Sequence, residues 1–485
     1  MGSAGPDKKF DVFGKYLNTI DGKLWGTSST RHGINPATGK PNPEVPVCTP
    51  KDVDAAVDAG KRAFKTWSKT PYEERQKALL DFAEAFEAHG EDFAKLLTQE
   101  QGKPLMFARD EVASAVKWIR TLGRFRIPEE IVEEDDERKV VVRYTPLGAA
   151  VGIVPWNYPV HLAAGKFTPA LITGNPIIIK PSPFTPYCGL KMGELAQQFF
   201  PPGVFQVLSG DDNLGPWLTA HPGIEKISFT GSSATGKKVM ESASKTLKRV
   251  TLELGGKDPT IVCKDVDIEA VAPKIATLAF LNSGQICLAI KRIYVHEDIY
   301  EPFLQTMVEF TKTLKVGNGS VEGNFLGPLQ NSMQFEKVKG FFADVEKSGA
   351  KVAIGGSNHI DSEKPGYFIM PTVIDRPTDD SRLAIEEPFG PIVPVMSWRE
   401  EDEVIARANA SELGLGASVW SKDIEHAAEI AKQLEAGSVW VNAHLELSPN
   451  APFGGHKSSG LHFEWSQEGL KAFCNAQTLY LKKQK

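Results

Sequence analysis

Residues Lys226–Lys238 read "KISFTGSSATGKK", and the way this stretch folds decides the architecture around it. "KISFT" has the apolar character of a strand, Gly231 breaks it, and the residues that follow suit a helix. Gly231, Gly236 and Lys237 also satisfy G-x-x-x-x-G-K, the spacing of a triphosphate loop. Lys238, however, stands where a magnesium-binding hydroxyl is needed. Taken alone, the loop is either a tight strand-to-helix turn or a backbone cradle offering phosphate the free N–H groups of a helix N-terminus.

Outward from this loop the same grammar repeats. "AAVGIVPW", "PIIIKPS", "VFQVLSG", "EKISFTG" and "RVTLELGG" are apolar runs without clean alternation, which suits a parallel sheet buried on both faces. A second series after Lys257, "PTIVC", "RIYVHE", "PIVPVMSW" and "GSVWVN", predicts a second α/β domain. The first third is helical, with Thr49, Pro50 and Asp52 opening one helix. "KVVVRYTPL" and "QTLYLKK" are strands outside both series, and pairing with another subunit is one way to cover such edges. The acidic run from Glu129 to Arg138 reads as a solvated connector.

The totals bound the function. A net charge of −6 over 485 residues gives no pull toward nucleic acid or an anionic membrane. No apolar run is long enough to span a bilayer, and the N-terminal residues lack the apolar core of a signal peptide. Five dispersed cysteines form neither a metal-type pairing nor a disulfide framework, so a reduced, cytoplasmic protein without a metal site is expected.

Three residues have chemistry to offer. Cys287, in "FLNSGQICLAIKR", is either a packed small hydrophobe or a nucleophile near a helix edge. Glu253 ends the strand of "VTLELGG" and is either a surface ion-pair partner or a general base. Asn157, between two prolines in "PWNYP", either caps the next helix or aims its amide at a developing oxyanion.

The ordered set "NPATG", "EQGKP", "PWNYP", "IIIKPS", "FTGSSATG", "LELGGKDP", "GQIC", "EEPFGP", "GSVWVN" and "PFGGHKSSG" resembles the aldehyde dehydrogenase superfamily, from Asn35 to about Leu470. The resemblance implies an α/β fold with two parallel-sheet Rossmann-type domains and a small β oligomerisation flap. Residues 1–127 and 148–256 would form the dinucleotide-binding domain and 257–458 the catalytic domain, with oligomerisation strands in 128–147 and 474–485. It implies a homodimer or homotetramer that oxidises an aldehyde with NAD or NADP. Cys287 would be the nucleophile, Asn157 the oxyanion donor, Glu253 the base that activates the hydrolytic water, and Lys166 with Glu464 a proton-passing pair. Gly231, Ser232 and Gly236 would meet the dinucleotide pyrophosphate, Lys180 the adenosine ribose, and Glu387 with Phe389 the nicotinamide ribose, with Ser182 and Gly255 also binding the cofactor. Ile153 and Trp156 would line the groove. Tyr158, Leu162, Gly165, Ile286, Leu288, Leu447 and Phe453 would line a substrate tunnel that Gly165 widens, with His444 and Glu446 near its entrance. An apolar or aromatic aldehyde of moderate size follows.

Two positions depart from the family pattern. Pro183 replaces a ribose-binding glutamate, which leaves NADP tolerated beside NAD, and Phe463 replaces the usual arginine before Glu464. The alternatives are a CoA-acylating relative and a non-catalytic scaffold on the same fold.

Overall fold

The computed structural model describes residues 10–357 and 365–484. Its first sheet runs, in spatial order, Lys23–Trp25, Asn18–Ile20, Phe205–Val207, Ile177–Lys180, Ala150–Ile153, Lys226–Thr230, Arg249–Glu253 and Gly460–Leu461. The five strands from Phe205–Val207 to Arg249–Glu253 are mutually parallel, as their unbroken apolar sequences require of a sheet covered on both faces. Strand order reverses between Ala150–Ile153 and Lys226–Thr230, so a crevice opens there beyond the carboxyl ends. The quoted loop therefore leaves the sheet at its switch point.

The second sheet runs Lys351–Ile354, Thr372–Asp375, Ile392–Trp398, Arg292–His296, Pro259–Val262, Gly416–Trp420 and Ser438–Val441. It is parallel except for its first strand. A third, antiparallel sheet joins Cys474–Lys482, Arg138–Pro146 and Glu130–Glu134. The acidic run is thus an edge strand, not a connector. Its side chains are all exposed, and rows of charge on an open edge discourage indiscriminate pairing.

Helix Pro159–Ile172 is buried at every residue, which its near-continuous apolar sequence demands. Pro159 occupies its first turn, where a missing N–H costs nothing. The buried Glu111 carboxylate accepts from the N–H groups of Val160 and His161, at 2.9 and 3.2 Å, and so satisfies that helix end. One apolar core joins the N-terminal helices to the first sheet and extends to Ile286, Leu288, Phe453 and Trp465. Among the described residues, no helix is long and apolar enough to cross a membrane.

Candidate active site

Cys287 follows a turn in which Asn282 and Ser283 adopt φ of 51° and 57°, a left-handed conformation uncommon for residues with a Cβ. Hydrogen bonds over-determine that turn. Ser283 Oγ donates to Gly327 O at 2.7 Å, Gln285 Nε2 to Asn282 O at 2.9 Å, and Gln330 N to Gln285 Oε1 at 2.9 Å. Asn157 Nδ2 donates to Gln285 O at 3.0 Å, which fixes the amide beside the loop and leaves its second N–H for another acceptor. Lys103, from "EQGKP", supports Asn157 from behind. Its ammonium donates to Asn157 O at 3.0 Å and Glu111 Oε2 at 2.5 Å, and lies 3.5 Å from the Tyr158 ring centre.

Asn157 and Cys287 line one cavity of about 590 Å³ together with Tyr158, Leu162, Ile286, Leu288, Leu447 and Phe453. Its walls also include Phe107, Trp118, His161 and Trp465, which sequence reasoning missed because they are scattered and carry no motif. Phe453 and Trp465 stack at 4.4 Å. Gly165 is not part of the lining, and the expected widening there does not occur. A Cβ at Gly165 would meet Trp465 Nε1 at 2.7 Å, so the indole takes the space that the missing side chain leaves. His444 is not at an entrance either. It is buried, its Nε2 lies 2.8 Å from Leu288 O, and burial pushes its pKa down to about 3.

Glu253 ends its strand in register with Thr230 and is buried, and its Oε1 has no hydrogen-bond partner. Burial pushes its carboxyl well above the usual range; the Glu464 charge adds to this and the Lys166 ammonium opposes it. Lys166 and Glu464, 298 residues apart, meet at 2.5 Å, and Ser228 Oγ joins them. Glu464 is held there by a backbone bridge between Phe453 and Glu464. Phe463 is exposed and takes no part in the pair. Burial raises the Cys287 pKa, and the Glu253 charge adds to the shift, although Glu253 is not among the residues lining the cavity.

Of the residues expected to hold a dinucleotide, Ile153 ends a strand at the switch point and Gly231 and Ser232 follow the strand beside it, whereas Glu387 and Phe389 come from a loop of the second sheet. Ser232 caps helix Ser233–Ser244, its Oγ accepting from Thr235 N at 3.2 Å. Ile153 and Lys180 are register partners at adjacent strand ends. Gly236 does not face the crevice. It is buried, and a Cβ there would strike Leu254 at 2.7 Å, so its bareness lets the helix pack on the sheet. Trp156 and Phe389 pack edge to face at 5.3 Å. A groove of about 780 Å³ runs past Ser233, Lys237, Gly255, Lys337 and Glu387. Above Gly255 the Glu387 carboxylate lies so close that a Cβ would meet Oε2 at 2.5 Å. The Lys180 ammonium is buried with one carbonyl partner, Pro181 O at 3.3 Å, and burial lowers its pKa to about 8. Ser182 Oγ accepts from Phe184 N. Arg31, Asp211 and Asp212 are the other charges acting on Lys180, and no motif announced them. A helix N-terminus and a carboxylate along one groove, with an under-satisfied cation at the end of the strand Ile177–Lys180, fit the phosphates and ribose hydroxyls of a dinucleotide.

Residues 25–479 match the model of the aldehyde dehydrogenase family. The aldehyde dehydrogenase LUC3 of Fusarium sp is 42% identical over 471 residues, covering 97% of this chain and 100% of that protein. Among solved structures, the indole-3-acetaldehyde dehydrogenase AldA of P. syringae, in complex with NAD+ and IAA, superposes with a TM-score of 0.94 at 31% identity, covering 97% of each chain. An NADP-dependent enzyme of E. coli also gives 0.94, at 32% identity over 97% of this chain and 99% of that one.

Proposed function

The chain belongs to the aldehyde dehydrogenase family and is an NAD(P)-dependent aldehyde dehydrogenase, and from that premise we propose that it oxidises apolar or aromatic aldehydes of moderate size through Cys287. The observation that carries this reading is the bond from Asn157 Nδ2 to the carbonyl two residues before Cys287, on the wall of a cavity lined by aromatic side chains.

In this reading the Cys287 thiol loses its proton to the neighbouring base as the sulfur bonds to the aldehyde carbon. The carbonyl oxygen becomes the oxyanion of a thiohemiacetal and accepts from the free Asn157 N–H and the Cys287 backbone N–H. A nicotinamide held near Glu387 and Phe389 would supply the hydride acceptor for oxidation of that carbon to the thioester level. Glu253 then gives up the cysteine proton and takes one from water through its unpartnered oxygen, hydroxide adds to the thioester, and the thiolate leaves as the acid forms. Lys166, Ser228 and Glu464 form the buried path by which that proton leaves Glu253.

We read the first sheet with its helices as the dinucleotide-binding domain and the second as the catalytic domain. The antiparallel sheet, whose Ile131, Val132, Tyr480 and Leu481 are exposed, is read as a subunit contact of a homodimer or homotetramer. Pro183 leaves out the glutamate that would repel a 2′-phosphate, and although Asp212 and Asp211 act on the Lys180 ammonium together with Arg31, we read NADP as accepted beside NAD. The test is aldehyde-dependent reduction of each cofactor across a panel from acetaldehyde to aryl aldehydes, with no CoA present. Preference for acetaldehyde or a charged semialdehyde would overturn the substrate reading, and CoA dependence would overturn hydrolysis.

A further inference from the structure

Four residues after the nucleophile stands Lys291, almost wholly buried at the junction of the two sheets' loops. Its ammonium has three acceptors. It donates to Ile286 O at 2.8 Å and to Cys287 O at 2.5 Å, and it pairs with Glu387 Oε1 at 3.1 Å. Glu387 Oε1 also accepts from Gly256 N at 3.2 Å, so this carboxylate is held from two directions. A lysine Nζ has three donors and no acceptor, and all three are committed here.

We infer that Lys291 is a positioning residue whose ammonium ties the peptide of the nucleophile to the carboxylate that faces the cofactor groove, so that Cys287 and Glu387 are held as one unit. The inference rests on the reading of Cys287 as the nucleophile and goes beyond it. The arrangement has an electrostatic consequence. Glu387 alone would place a negative charge near the sulfur and disfavour the thiolate; Lys291 sits on that carboxylate and offsets it. The groups acting on Cys287 are Glu253, Glu387 and Asp258, which disfavour the thiolate, and Lys291, which favours it; the Tyr158 hydroxyl is also coupled to the sulfur. Lys291 in turn faces Asp258 and acts on His444, Lys257 and Lys337.

The experiment is the pH profile of Cys287 alkylation by iodoacetamide in full-length protein without cofactor, with the labelled residue identified by peptide mass. Lys291→Met removes the favourable charge, so its midpoint moves to higher pH by about one unit or more, and labelling at fixed lower pH slows about tenfold. Glu387→Gln removes the unfavourable charge and moves the midpoint to lower pH. The double variant Lys291→Met/Glu387→Gln, which leaves neither charge buried alone, falls between the two and serves if Lys291→Met does not fold. An unmoved midpoint in Lys291→Met, a shift of the same sign in both single variants, or a double variant outside the singles overturns the proposal. The nucleophile reading fails separately, if Cys287→Ala keeps turnover.

Discussion

Replacing Glu253 by Gln should make the protein more stable at alkaline pH while arresting its chemistry. The carboxyl is buried, lacks a partner on Oε1, and has a folded pKa well above its usual value. A carboxyl raised in this way favours the folded state only while protonated. Its contribution is complete below the unfolded pKa of about 4.3 and is lost as pH rises through the folded pKa. Across that window wild-type stability falls relative to the non-titrating variant by about 1.4 kcal/mol per pH unit. For a chain of this size that is on the order of 1–2 °C in Tm per pH unit. Thermal melts of both proteins at several pH values from 5 to 9 should diverge, with the variant gaining toward high pH. The same substitution removes the general base, so steady-state turnover drops by about 10²–10⁴. The thioester then accumulates, seen as one equivalent of NADH released in a burst and an acyl mass on the Cys287 peptide. Parallel melting curves together with undiminished turnover would refute both the electrostatic and the catalytic reasoning.

Asn157→Ala removes one oxyanion donor and should lower kcat by about 10²–10³, or about 2.7–4 kcal/mol, while iodoacetamide still labels Cys287; a loss below tenfold counts against that role. Lys103→Met strands the buried Glu111 carboxylate and should cost about 3–5 kcal/mol of stability, read by denaturant unfolding; an unchanged midpoint would show that the pair does not hold Asn157. Pro183→Glu restores a carboxylate near Lys180 and should reduce the NADP-to-NAD ratio of kcat/KM by about tenfold or more; an unaltered ratio would remove Pro183 from the account of cofactor choice.

Much of the candidate site was legible from an ordered set of motifs, while each residue alone left a packing, ion-pair or capping reading open beside the chemical one. Asn157 stands between two prolines, Glu253 ends an apolar run before two glycines, and Cys287 sits in a Gly- and amide-bearing segment. Other expectations failed for a shared reason: a neighbour distant in sequence supplied what the local pattern lacked. Gly165 read as open space until Trp465 filled it, and Gly236 read as a phosphate contact until Leu254 packed against it. The acidic run read as solvated connector, yet the strand Arg138–Pro146 gives its backbone a hydrogen-bonding partner that composition does not reveal.

The sequence by itself determined the layered α/β architecture, since periodicity and turn chemistry act between residues a few positions apart, and its ordered motifs, by resemblance, named the three candidate reacting groups. Tertiary structure alone decided the electrostatic surroundings and the shape of the site. The raised carboxyl of Glu253, the meeting of Lys166 with Glu464, the clasp of Lys291 on Glu387 and the aromatic wall of Trp118, His161 and Trp465 all depend on burial and on charges brought within a few ångströms by folding. Desolvation and Coulomb interaction depend on distance in space, which spacing along the chain does not encode.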